Sequence, residues 1–136
     1  MNNRLGHVFL VDDNHDVRFY LADMLVRLGY TVDTFDNAQA FLNNALDISP
    51  AVVLLDMRMP EMNGHELREK MTELETLDRI PVVGLTATLN PEKRQRMLDS
   101  GWTEVLTKPV NPEELRRILY QIYKDNNMGT QLDEAD

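Results

Sequence analysis

Apolar residues along this chain recur in two alternating rhythms: short continuous runs, and longer stripes at helical spacing. His7 to Val11 is a short apolar run with β-branched residues, after which Val17, Tyr20, Leu21, Met24, Leu25 and Leu28 recur every three or four positions. That pattern predicts a strand and then a helix. Gly29 supplies a stop, Thr31 to Phe35 predicts a second strand, and Ala38, Phe41, Leu42, Ala45 and Leu46 mark a second helix. Asp36 with Gln39 three residues on has the form of a capping pair for it. Ala51 to Leu55 is apolar throughout, as expected of a central parallel strand covered on both faces, and the loop MRMPEMNG follows.

The second half repeats the alternation. Asn63 with Glu66 predicts the cap of a third helix, whose apolar face runs through Leu67, Met71 and Leu74. Pro81 to Leu85 predicts a fourth buried strand. Asn90-Pro91 opens a fourth helix as cap and first helical residue, but its apolar content is thin, mainly Met97 and Leu98. This helix is expected to be shallowly attached and largely exposed. Glu104 to Leu106 predicts a short fifth strand, and Asn111-Pro112-Glu113-Glu114 caps a last helix with the stripe Leu115, Ile118, Leu119 and Ile122. Five strands alternating with five helices imply right-handed crossovers onto one parallel sheet. The expected fold class is α/β, a single doubly wound flavodoxin-like (βα)5 domain. Its strand order is 2-1-3-4-5, with helices on both faces and the crevice at the junction of strands one and three.

Composition narrows the class. A length of 136 residues suits one core and is too short for two ordinary ones. A net charge of −9 disfavours direct nucleic-acid binding, which needs Lys and Arg to neutralise phosphates. The absence of cysteine excludes disulfides, thiolate metal sites and a cysteine nucleophile. No cationic and apolar leader opens the chain, and no apolar run approaches the roughly 18 residues of a membrane span. The expectation is therefore cytoplasmic, with no membrane partner. The stretch 125–136, DNNMGTQLDEAD, loses periodicity and is expected to be a disordered acidic tail or linker stub.

Against that frame of strands, five polar residues stand out. Asp12 and Asp13 follow the first apolar run, Asp56 the third, Thr86 the fourth and Lys108 the fifth. In open parallel sheets the carboxyl ends of the strands line the ligand crevice, so these five converge. Carboxylates there suit Mg²⁺, with Asp13 and Asp56 as the best direct ligands. Asp56 also has the chemistry of a phosphoryl acceptor, Lys108 that of a charge clamp, and Thr86 that of a hydrogen-bond donor. Each has an ordinary alternative. Asp12-Asp13-Asn14 suits a helix cap, Thr86 a strand former, and Lys108 a solvated surface charge. Asp56 weakens the capping alternative, because a second strand brings another acid to a place where carboxylates raise one another's cost of ionisation.

The strings VFLVDDN, VVLLDMRMPEMNG, IPVVGLTA and VLTKP, in this order between Gly6 and Lys124, resemble the receiver domain of bacterial two-component response regulators. The resemblance implies a receiver over 1–124 that is not a conventional enzyme, although it catalyses its own phosphorylation and dephosphorylation. Asp56 would take a phosphoryl group from a phosphohistidine on a sensor histidine kinase or phosphotransfer protein. Asp13, Asp56 and the Arg58 backbone carbonyl would hold Mg²⁺ or Mn²⁺, with Asp12 acting through water. Thr86 would turn to the phosphoryl group, Lys108 would pair with it, and Ala87 would leave room and offer its backbone N–H. Lys108-Pro109 would be cis. The signal would reach the face of the fourth helix, fifth strand and fifth helix, there to meet an effector domain or a second copy. Arg58 and Thr88 at the rim would tune the lifetime of the acyl phosphate.

Several positions are special. Pro60 and Gly64 suit a turn, one by fixing φ and the other by freeing it. Val105 stands where receivers commonly carry a Tyr or Phe that swings with the threonine. Trp102 has two readings, an exposed anchor for a partner or a side chain packed against the fourth helix. A haloacid-dehalogenase-like phosphatase uses similar residue types, but its nucleophile follows the first strand in a DxD arrangement. A flavodoxin-type FMN carrier needs a hydroxyl- and glycine-rich phosphate loop where this chain has DDNHD. An interaction module that is never phosphorylated is a third alternative. No helix-turn-helix segment follows Lys124, so the expectation is a stand-alone regulator or the front module of a longer chain.

Overall fold

Every predicted apolar run is a strand, and every stripe a helix. The computed structural model describes residues 5–45, 50–74 and 76–126. In order these form β1 (Gly6–Val11), α1 (His15–Leu28), β2 (Tyr30–Phe35), α2 (Ala38–Ala45) and β3 (Val52–Asp56). There follow α3 (Gly64–Glu73), β4 (Val82–Thr86), α4 (Pro91–Asp99), β5 (Glu104–Thr107) and α5 (Pro112–Asp125). The five strands form one parallel sheet in the order β2-β1-β3-β4-β5.

The apolar runs are continuous because successive side chains feed opposite faces, both of them covered. Val8 and Leu10 join Leu54, Leu85 and Leu106 under α1 and α5, whereas Phe9 and Val11 join Val53, Leu55 and Val105 under α2, α3 and α4. On the second face Phe9, Phe35 and Phe41 pack ring to ring, with centroids 5.0–6.0 Å apart. Among the described residues no helix is long and apolar enough to cross a membrane.

The caps explain where the helices begin. Asn14, Asn63, Asn90 and Asn111 each accept the N–H three residues on, and Asn63 with Glu66 completes a reciprocal capping box. Gly29 ends α1 at φ 106°, in the left-handed region that glycine tolerates. The cap of α2 differs from expectation. Asn37, not Asp36, accepts the Ala40 N–H at 2.8 Å, and Asp36 instead accepts a bond from the Asn37 amide. Leu46 and residues 127–136 of the expected tail lie outside the described residues, and α5 runs on through Asp125.

Two further expectations change. Gly64 does not free a φ angle: it opens α3 in tight contact with the end of β3, where a Cβ would lie 2.7 Å from the Asp56 carbonyl and 2.9 Å from Met57 Cα. The positive φ in this loop belongs to Glu61, at 69°. Trp102 is no exposed anchor. It is buried against Met97 of α4, in space left open because Gly84 on β4 has no side chain; a Cβ there would come within 3.2 Å of the indole.

Candidate phosphoacceptor site

The sheet delivers all five polar residues to one end. Backbone bonds carry the strand ladder past the strand ends and fix the approach: Asp12 N–H to the Phe35 carbonyl, Met57 N–H to Leu85, and Lys108 N–H to Thr86, at 2.8–3.1 Å. Asp56 and Thr86 are the last residues of β3 and β4, Asp12 and Asp13 come directly after β1, and Lys108 directly after β5. The Lys108-Pro109 bond is cis. A cleft of about 550 Å³ opens at this end, lined by Asp13, Asp56, Thr86, Ala87 and Lys108, with Asp12 buried behind it.

Charge organises the centre. Lys108 Nζ donates to Asp56 Oδ1 at 2.9 Å and lies 2.8 Å from Asp12 Oδ2. Asp56 Oδ1 also accepts the Arg58 N–H at 3.3 Å, and Asp12 Oδ1 the Asn14 N–H at 2.9 Å. Asp12 thus serves the loop before α1 and the charge cluster at once, while Asn14 is the true cap. Burial pushes the Asp56 carboxyl above the ordinary carboxylate range; the bond from Lys108 opposes that shift and the neighbouring Asp12 charge adds to it. For Lys108, burial acts downward, but bonds and charge from Asp12 and Asp56 outweigh it and leave the ammonium above its usual value. The amine is therefore protonated at neutral pH, facing two carboxylates with a single charge.

Metal-ligating geometry is present on the same side. Oxygens of Asp12, Asp13 and Asp56 lie within 4.8 Å of one another. Asp12 is fully buried, and its Oδ2 lies 2.8 Å from Lys108 Nζ, a single contact that leaves one of its lone pairs unused. A buried carboxylate oxygen with a free lone pair among other acids fits a hard divalent cation or a water of its shell.

Thr86 is buried and its hydroxyl is engaged away from Asp56, donating to the Thr88 carbonyl at 3.0 Å. It also accepts a bond from Lys93 Nζ at 2.9 Å. Lys93 and His65, both lining the cleft, are residues the sequence pattern did not single out. His65 stands edge-on to Trp102, with ring centroids 5.8 Å apart, and nothing in its spacing marked it. Lys93 did carry a signal. It occupies the third position of a helix, where the capping pattern favours Glu or Gln and where a cation opposes the helix dipole.

Known proteins share this fold. The family model for the response regulator receiver domain matches residues 8–120. An uncharacterized 14.6 kDa protein from the sodA1 3′ region of Leptolyngbya boryana is 39% identical over 114 residues, covering 84% of this chain and 87% of that protein. The sensor histidine kinase RcsC of Salmonella typhi is 39% identical over 116 residues, 82% of this chain but only 12% of the kinase. The chain therefore corresponds to a small part of such kinases. Among solved structures, the receiver domain of sensor histidine kinase PA1611 from Pseudomonas aeruginosa PAO1, with magnesium coordinated in its active-site cleft, superposes with a TM-score of 0.79. It is 28% identical, and the match covers 88% of this chain and 98% of that domain. With the fold, the acidic cleft and a family match over most of its length in agreement, the chain belongs to the response regulator receiver domain family, signalling modules of two-component systems.

Proposed function

We propose that Asp56 accepts a phosphoryl group from a phosphohistidine on a sensor histidine kinase or phosphotransfer protein, and that the change is relayed to the face of α4, β5 and α5. The observation that carries this is the placement of Lys108 Nζ between Asp12 and Asp56, at 2.8 and 2.9 Å, beside an open cleft. An Asp56 carboxylate oxygen attacks phosphorus, the P–N bond breaks and its electron pair returns to the imidazole nitrogen, leaving an acyl phosphate on Asp56. Lys108 offsets the charge gathering on the transferring oxygens. Ala87 offers a small side chain and its backbone N–H, and Thr86 turns from the Thr88 carbonyl to the phosphoryl group. Arg58 and Thr88 at the rim set how readily water reaches the acyl phosphate.

Asp13, Asp56 and the Arg58 carbonyl hold Mg²⁺ or Mn²⁺, and Asp12 acts through a water. When bound, the cation offsets charge on the phosphoryl oxygens and relieves repulsion among the three carboxylates. In the PA1611 receiver domain a magnesium ion is coordinated in the active-site cleft, which supports this reading. The domain works in the cytoplasm beside its kinase, and meets an effector domain or a second copy through the α4, β5 and α5 face.

Binding of beryllofluoride, a phosphoryl mimic, tests the assignment by ¹⁹F NMR. A bound resonance is expected only with Mg²⁺, and not in Asp56→Asn. Binding without Mg²⁺, or an undiminished signal in D56N, contradicts it. Turnover of a general phosphate ester would point instead to a phosphatase.

A further inference from the structure

Lys93 is in an unfavourable place for a cation. Asn90 caps α4 and Pro91 opens it, so Lys93 sits in the first turn, where positive charge opposes the helix dipole. Its ammonium does not turn away into solvent. It donates to Thr86 Oγ1 and to the Thr88 carbonyl, both at 2.9 Å, and Thr86 itself donates to that same carbonyl. The three groups close a ring that ties the first turn of α4 to the end of β4, at the edge of the cleft that contains Asp56. Little else holds this helix. Met97 is its one buried side chain among the described residues, and Arg94, next to Lys93, bonds Glu104 of β5. Val105 is buried in the cluster that holds Met97 and Trp102, which leaves it no path to swing outward.

We propose that Lys93 is the contact through which a phosphoryl group on Asp56 moves α4. This rests on the phosphoacceptor role proposed above. A phosphoryl group brings about −1.5 to −2 charge at pH 7 and three strong acceptor oxygens, whereas the Thr88 carbonyl is a neutral acceptor. The bond from Lys93 to that carbonyl has charge on the donor alone, and an anionic phosphoryl oxygen adds direct attraction between opposite charges, so Lys93 exchanges the Thr88 carbonyl for a phosphoryl oxygen. The Thr86 hydroxyl, which donates to the same carbonyl, turns in the same way to donate to the phosphoryl group. The first turn of α4 follows its lysine, and Arg94 passes the shift to Glu104 and β5.

Amide hydrogen exchange with Mg²⁺, with and without beryllofluoride, tests the relay in wild type, Lys93→Ala, Lys93→Gln and Lys93→Arg, with binding checked in each by ¹⁹F NMR. Wild type is expected to change protection across 88–97. Alanine and glutamine should bind the mimic more weakly, because one bond to it is gone, yet at saturating mimic they should lose at least half of that change, and arginine should restore it. A full response in alanine or glutamine, no response in wild type, or failure of arginine to rescue overturns the relay. So does complete loss of mimic binding in alanine at saturating mimic, because Lys93 would then hold the group rather than relay its arrival. Absence of mimic binding in wild type is a different failure, and it removes the phosphoacceptor role.

Discussion

Asp56 is held in a state that costs stability. Its carboxyl is raised because burial and the Asp12 charge disfavour ionisation more than Lys108 favours it. A folded-state value above the unfolded one means that the protonated form is the better-accommodated form, and that stability is lost as pH rises through the folded value. Asp56→Asn, which leaves Lys108 and Asp12 as a balanced pair, is therefore expected to melt above wild type at pH 7, with the gap closing as pH falls through the range of Asp56. A D56N protein that melts lower at pH 7 would contradict this account of the site. Gly64 is constrained just as tightly from the other side. Because a Cβ there meets backbone rather than a movable side chain, Gly64→Ala is expected to cost about 1–3 kcal/mol in urea unfolding. A cost near zero would show that the loop after β3 yields freely.

Among the elements, α4 and β2 carry the clearest consequences. Met97 is the one apolar side chain that anchors α4, so Met97→Ala is expected to cost about 2–4 kcal/mol and to raise amide exchange along 91–99 more than along α5. Tyr30, at the start of β2, is buried with a hydroxyl that has no hydrogen-bond partner among the described residues, and burial together with the Tyr123 charge pushes its pKa up to about 12. The unfolded chain releases this proton near pH 10 and the folded one near 12, so stability should fall across that window. Tyr30→Phe is expected to flatten the fall in Tm between pH 10 and 12 and to leave Tm at pH 7 unchanged or higher. The elements were legible in the sequence because burial on two faces writes continuous runs and burial on one side writes stripes, and because four asparagines mark four helix starts. The α2 cap was not, since Asp36 and Asn37 are adjacent residues of equal capping chemistry, and only the path of the chain decides between them.

At the scale of the whole molecule, the strand order does the gathering. Residues 12, 56, 86 and 108 meet because parallel strands end on the same side and β1, β3, β4 and β5 are neighbours, a rule of topology that needs only the alternation of elements. This is why most of the site could be read from spacing. What could not be read depends on contacts whose partners leave no mark in the sequence. Lys93 bonds to a backbone carbonyl, which any residue supplies, and Trp102 is buried because Gly84, eighteen positions earlier, leaves a hole. Covalent chemistry at one carboxylate, Asp56, is the centre of the proposed function. Intact mass after incubation with acetyl phosphate and Mg²⁺ measures it directly. A single phosphoryl adduct is expected in wild type, lost on chelation of the metal before incubation and absent in Asp56→Asn. No adduct in wild type, or an adduct that persists in D56N, contradicts the account.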